Sequence, residues 1–227
     1  MTQSHVRTTS SGRRVRSQVY TYEERLDDEP GFSVRETEAF FRGRLEAMET
    51  MRRLGRRLDE LGVPYAVIGG LALNAHRFER FTKDADLVVR RESLAVIHAA
   101  LDGSGYLPPF DGSKNLRDTT NGVGIDLLVA GEFPGDGKEK PVAFPDPAEG
   151  TVTIDGVRFV TLAKLVELKL ASGISNFNRM SDLGDVQKAI HALRLPRAFG
   201  DGLHPYVRAK FDELWVAWDA DPLKDEF

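Results

Sequence analysis

Residues 64–89 read PYAVIGGLALNAHRFERFTKDADLVV, and this stretch decides the fold. Tyr65-Ala66-Val67-Ile68 is a short apolar, partly β-branched run that stops at Gly69-Gly70, the pattern of a buried strand breaking into a turn. Leu71 to Ala75 then suits a helix, whose first N–H groups lie behind the glycines and are open to an anion. Thr82-Lys83-Asp84-Ala85-Asp86 leads into the apolar run Leu87-Val88-Val89, a second buried strand. Asp84 and Asp86 are two apart, so on a strand both carboxylates face one way. Two like charges on one face repel unless a cation lies between them, and Mg²⁺ prefers such oxygen ligands together with phosphate. A glycine turn followed by Asp-x-Asp therefore looks like a metal–nucleotide site. Taken alone, an ordinary turn and a solvated strand end would give the same letters.

Outward from this stretch, a third acid enters through a hairpin. Asn121-Gly122 is a strong hairpin signal between Leu116–Thr120 and Val123–Val129, and Asp126 is embedded in the second, apolar arm. A carboxylate buried there needs a partner or a metal, whereas one facing solvent needs neither. Asp155-Gly156 marks another hairpin between two short β-branched runs, which explains Asp155 as a turn residue. Apolar spacing predicts helices over 33–61, with Phe41, Leu45, Met48, Met51, Leu54, Leu58 and Leu61 on one face, and over 93–101. It also predicts a helix over 162–171, capped by Thr161, with Lys169 amid its apolar residues. Residues 172–178 read as a loop and Ser181 as the cap of a further helix, whose early acids Asp182 and Asp185 suit the helix dipole. His204-Pro205 opens the last helix, along which Trp215 and Trp218 are packing residues.

Gly69-Gly70 with Asp84-Ala85-Asp86 resembles the signature of the nucleotidyltransferase superfamily that shares the DNA polymerase β fold. Lys169, Arg179, Asp182 and Asp185 in turn resemble the lysine, arginine, Asp-x-x-Asp pattern of AbiEii-type nucleotidyltransferases, a subfamily that includes toxins of toxin–antitoxin systems. The resemblance implies an α/β fold with a mixed sheet and a C-terminal helical lobe. It divides the chain into an N-terminal arm (1–30), a nucleotidyltransferase-like domain (31–160) and a helical lobe (161–227). It implies an enzyme that moves a nucleoside monophosphate from an NTP to an acceptor hydroxyl on a tRNA, a protein or a small molecule, with an antitoxin protein as a further partner. Asp84, Asp86 and Asp126 would hold two Mg²⁺ ions, and Gly69 and Gly70 would receive the triphosphate. Lys83, Lys169 and Arg179 would neutralise phosphate charge, and Asp185 would orient the acceptor. A non-catalytic nucleotide- or protein-binding member with the same fold is the alternative.

Composition narrows these classes. The chain has 227 residues, 41% hydrophobic and 29% charged, with no apolar run approaching the ~18 residues of a membrane span. The arginines near the start precede no apolar stretch, so a cytoplasmic protein is expected rather than a secreted one. The absence of cysteine excludes disulfides, thiolate metal sites and cysteine catalysis. A formal net charge of −4 argues against a general, charge-driven nucleic-acid binder. Arg52, Arg53, Arg56 and Arg57 read as a solvated helix face. Gly135-Asp136-Gly137-Lys138 lacks the earlier glycine, the following Ser or Thr and the helix of a phosphate-binding loop, so it is read as part of a surface loop bordering the site.

Overall fold

The computed structural model describes residues 6–8, 14–16, 32–78, 80 and 82–221. The chain forms two compact units, Met1–Arg42 and Gly43–Phe227. In the first, β1 (Val6–Thr8) pairs antiparallel with β2 (Arg14–Arg16). The rest of the expected arm over 1–30 lies outside the described residues.

The second unit is built on a seven-stranded mixed sheet. Its strands are β3 (Tyr65–Ile68), β4 (Ala85–Val89), β5 (Tyr106–Leu107), β6 (Leu116–Asp118), β7 (Gly124–Val129), β8 (Thr151–Ile154) and β9 (Val157–Val160), in the spatial order β5-β6-β7-β4-β3-β9-β8. The pairs β3–β4, β5–β6, β6–β7 and β8–β9 are antiparallel, while β4–β7 and β3–β9 are parallel, so the α/β mixed sheet expected from the sequence is present. Asp155 and Gly156 both have positive φ, +50° and +77°, as the tight turn between β8 and β9 requires.

Helix α1 (Phe32–Glu60) buries Ala47, Met51, Leu54 and Leu58 completely, a stripe at helical spacing. Leu45, expected on that stripe, is instead 66% exposed. Gly62 ends the helix with φ +66°, and the Val63 N–H reaches back to the Leu58 carbonyl at 2.8 Å. The arginine face is not merely solvated. Arg53 donates to Asp118 at 2.5 Å, and Thr50 donates to the same oxygen at 2.8 Å, so the buried Asp118 carboxylate is anchored to α1.

Helices α2 (Gly69–Ala75) and α3 (Ser93–Leu101) follow β3 and β4, and α4 (Leu162–Ser175), α5 (Met180–Ala192) and α6 (Pro205–Asp219) close the chain. The Thr161 hydroxyl caps α4 by accepting from the Lys164 N–H at 3.4 Å. His204 caps α6 in the same way through Tyr206, at 3.2 Å. Two expectations fail here. Ser172 to Ser175 continue α4 instead of forming a loop, because Gly173 lets α5 approach closely; a Cβ there would lie 2.5 Å from Leu183 Cγ. The residue preceding α5 is Arg179 rather than Ser181, and its side chain makes no capping bond. Among the described residues no helix is long and apolar enough to cross a membrane.

Candidate active site

The strand register puts the acids side by side. Asp86 on β4 is the direct partner of Asp126 on the parallel neighbour β7. Asp84 lies just before β4, against the start of β7, where a Cβ on Gly124 would fall 2.9 Å from its Oδ1. On the other side of β4, Ile68 pairs with Asp86, so the turn at Gly69 sits beside the same carboxylate. Gly69 has φ +66°, and a Cβ there would lie 2.0 Å from Asp86 Oδ2. Only glycine lets the chain turn into α2 while the carboxylate lies against it.

These residues line a cleft of about 270 Å³. Its sheet side carries Gly69, Asp86, Asp126 and Leu128, and its helical side carries Leu165, Leu168, Lys169, Ser172, Arg179 and Asp182. Pro134, Gly135 and Phe144 of the long loop complete it, so that loop borders the site as expected. The side chain of Lys140 knots the loop from within, donating to the carbonyls of Pro134 and Lys138, each at 2.7 Å, and to Asp136 at 2.6 Å. A larger hollow of about 490 Å³ lies between Met48, Arg52, Asn74 and Phe159, but the one acid lining it is the turn residue Asp155.

Electrostatics divides the cleft. Burial, then the neighbouring Asp126, push the Asp86 carboxyl up to about 6, with Asp84 adding to the rise and Lys169 and Arg179 opposing it. Asp126 is also raised, by desolvation and then by Asp84. On the helical side the outcome is reversed. Burial would raise Asp182, but Lys169, the Ser172 hydroxyl and Arg179 hold it below the usual carboxylate range. Lys169 Nζ donates to Asp182 Oδ1 at 2.9 Å and to Asp185 Oδ2 at 2.7 Å. Ser172 Oγ donates to Asp182 Oδ2 at 2.7 Å and Arg179 Nε to the same oxygen at 3.1 Å.

Several sequence-predicted residues are thus brought together: Gly69, Asp86, Asp126, Lys169 and Arg179 share the cleft, with Asp84 at its edge. Gly70 is not on its surface. It is buried against Thr82, whose Cβ a side chain at 70 would approach to 2.7 Å. Lys83 is exposed and lies outside the lining, and Asp185 stands behind Lys169 as its second anion. Asp126 is exposed where a buried carboxylate was considered, because β7 alternates, with Ile125, Leu127 and Val129 turned into the core. Its partner is Asn115, whose amide donates to Asp126 Oδ1 at 2.7 Å.

Sequence reasoning missed Ser172, hidden in a stretch read as loop, and Arg80. The Arg80 guanidinium pairs with Asp185 Oδ2. Its backbone is held from both sides by the Asn74 side chain, at 2.7 and 2.9 Å. The segment that carries Asp84 is thereby tied to both α2 and α5.

The acids form an all-oxygen donor set suited to a hard divalent cation, and the raised carboxyls of Asp86 and Asp126 are what such a set shows without one. Among the described residues no three of His, Asp and Glu stand close enough together, as they lie, to hold an ion between them.

No protein-family model matches this chain, and no curated protein matches its sequence. Among solved structures it is similar to ANT(2″)-Ia, whose crystal structure holds adenylyl-2″-tobramycin, at 15% identity over 73% of this chain and 96% of that one, with a TM-score of 0.48. It is also similar to an antigenic nucleotidyltransferase-like protein from Paracoccidioides brasiliensis, at 16% identity over 63% and 74%, with a TM-score of 0.41. Likenesses at this level carry no chemical argument, which has to come from the cleft.

Proposed function

We propose that this protein is a Mg²⁺-dependent nucleotidyltransferase that moves a nucleoside monophosphate from an NTP to an acceptor hydroxyl and releases pyrophosphate. One observation carries the reading: two under-compensated carboxylates from adjacent parallel strands, Asp86 and Asp126, face the cationic side chains of Lys169 and Arg179 across a small cleft floored by a glycine turn. Acids alone would repel a triphosphate, and cations alone would bind it without activating an attack. The two together suit phosphoryl chemistry.

Asp84, Asp86 and Asp126 would hold two Mg²⁺ ions, which when bound would supply charge stabilisation for an in-line displacement at phosphorus. The chain's own contribution is positioning. Gly69 leaves the turn free of a side chain, so phosphate oxygens approach the backbone beside Asp86. Arg179, paired through Nε with Asp182 and with its side chain 58% exposed at the cleft wall, supplies positive charge toward the leaving pyrophosphate. Lys169 contributes a fixed charge, since Asp182 and Asp185 hold its ammonium in place. The Pro134–Gly135 segment and Phe144 wall the cleft from solvent on the loop side.

The acceptor on this reading is a tRNA end, a protein side chain or a small molecule, and the enzyme of a toxin–antitoxin pair is one setting for such a reaction. Incubation of the protein with each α-labelled NTP, Mg²⁺ and a cell lysate tests the function. Label should move to one size class of acceptor, and EDTA or Asp86→Asn should abolish the transfer. Nucleotide binding that is tight and indifferent to EDTA, with no transfer, would leave a non-catalytic nucleotide binder.

A further inference from the structure

Asn115 lies just before β6, where β7 runs past its neighbour: Leu116 pairs with Ile125, and the next residue of β7 whose N–H points that way is Leu127. The Asn115 side chain takes the place of the missing ladder partner, its Oδ1 accepting from the Leu127 N–H at 3.0 Å. A backbone N–H can only donate, so this bond fixes which end of the amide is oxygen. The other end, Nδ2, must then be a donor, and it is directed at Asp126 Oδ1 at 2.7 Å. The turn before it is itself fixed, because the Asn115 N–H donates to Ser113 Oγ at 3.1 Å. One rigid amide therefore spans from the β7 backbone to one particular oxygen of the carboxylate on the adjacent residue of that strand.

Resting on the metal-dependent reading above, we propose that Asn115 is a positioning residue for Asp126: it occupies Oδ1 and leaves Oδ2 as the oxygen offered to a divalent cation in the cleft. A carboxylate free to rotate would present either oxygen, or both, and would lose rotational freedom on binding. One already clamped by a donor has lost it beforehand. Partners of metal ligands that act in this way contribute roughly 10–100-fold to metal affinity or activity. The competing explanation is structural: Asn115 merely satisfies the Leu127 N–H at the end of a strand.

A double-mutant cycle separates the two, read by binding of Mn²⁺ to the full chain, with loss of the free-ion electron paramagnetic resonance signal as the measure. In the wild-type background Asn115→Ala should weaken Mn²⁺ binding by about 10-fold or more. In an Asp126→Ala background the same change should have little further effect on Mn²⁺ binding, because the oxygen it positions is gone. Thermal melts of all four proteins in EDTA report the structural part: the bond to the Leu127 N–H is lost in both backgrounds, and the bond to Asp126 only in the wild-type one. Equal Mn²⁺ affinity in wild type and Asn115→Ala would overturn the assignment while leaving the metal site intact. Equal losses in both backgrounds would make Asn115 a fold residue only. If wild type binds Mn²⁺ no better than Asp86→Asn, the metal reading itself fails and the assignment fails with it.

Discussion

Replacing Asp86 by Asn should stabilise the cation-free protein, and the size and pH dependence of that gain follow from its surroundings. The carboxyl rises from an ordinary 3.8 to about 6 in the folded state, through burial first and then through Asp126 and Asp84. At 1.36 kcal/mol per pKa unit this is a penalty of about 3 kcal/mol on the ionised folded form. The sign is that of a raised acid. Between pH 3.8 and about 6 the folded chain holds a proton that the unfolded chain has lost, so stability falls as pH rises through this window and stays low above it. An amide does not ionise, and its burial, like that of the protonated acid, costs the same at every pH. The advantage of Asp86→Asn should therefore grow by about 2–3 kcal/mol between pH 4 and pH 8, from a value near zero at pH 4. Urea unfolding in EDTA at pH 4, 5, 6 and 8 measures it. Because wild type and variant are compared at each pH, the titration of acids remote from Asp86 cancels. With Mg²⁺ and NTP in excess the order should reverse, since ligand binding stabilises wild type by linkage and the variant much less. A variant less stable than wild type at pH 8, or a difference that does not change between pH 4 and 8, would refute the account of Asp86 as an under-compensated acid.

Three further outcomes are expected. Lys169→Ala should destabilise the protein by roughly 3–5 kcal/mol in urea melts, because it removes the cation that the buried carboxylates of Asp182 and Asp185 share; a near-neutral effect would show that Arg80 and Arg179 suffice for them. Gly69→Ala should abolish nucleotidyl transfer and cost at least about 1 kcal/mol of stability, since it combines a strained positive φ with a contact on Asp86, and retained activity would remove the turn from the site. Gly173→Ala should cost about 1–3 kcal/mol by overpacking against Leu183, measured by thermal unfolding, and an unchanged melting temperature would mean that α4 and α5 can part without loss.

The parts of the fold legible in the sequence were those decided locally. Gly69 with its positive φ, the Asn121-Gly122 and Asp155-Gly156 turns, the Thr161 and His204 caps and the Gly62 stop each follow from what one or two residues can do. The same two hairpin turns also imply the antiparallel pairs β6–β7 and β8–β9. What could not be read locally was the parallel pairing of β4 with β7, which alone makes Asp86 and Asp126 neighbours; here a family resemblance supplied what spacing did not. The end of α4 was misread for a similar reason. Ser172-Gly173 looks like a helix terminus in sequence, and only the packing of Leu183 against that glycine explains why the helix continues. Arg53 and Arg80 were illegible because their partners, Asp118 and Asp185, are remote in the chain.

Five acids surround or back this cleft, and the chain treats them in two ways that chemistry can tell apart. Asp182 and Asp185 belong to α5 and are met by Lys169, Arg80, Arg179 and Ser172, so that in Asp182 charge and hydrogen bonding outweigh burial. Removing Lys169 takes away the cation both acids share, which is costly in a buried network of this kind. Asp86 and Asp126 belong to the sheet, where desolvation and neighbouring acids win: Asp86 is raised by burial and by Asp126 although Lys169 and Arg179 oppose it, and Asp126 by desolvation and by Asp84. Those cations are already engaged by Asp182, so what reaches the sheet acids is a residual field rather than a bonded partner. Stability alone gives no reason to place two acids in register on adjacent parallel strands. A cation that arrives with a polyanionic substrate does, because it relieves the repulsion at the moment the substrate binds. Under the proposed function the same residue type is thus structural on one wall of the cleft and a metal ligand on the other, and the difference lies in which wall supplies its own counter-charges.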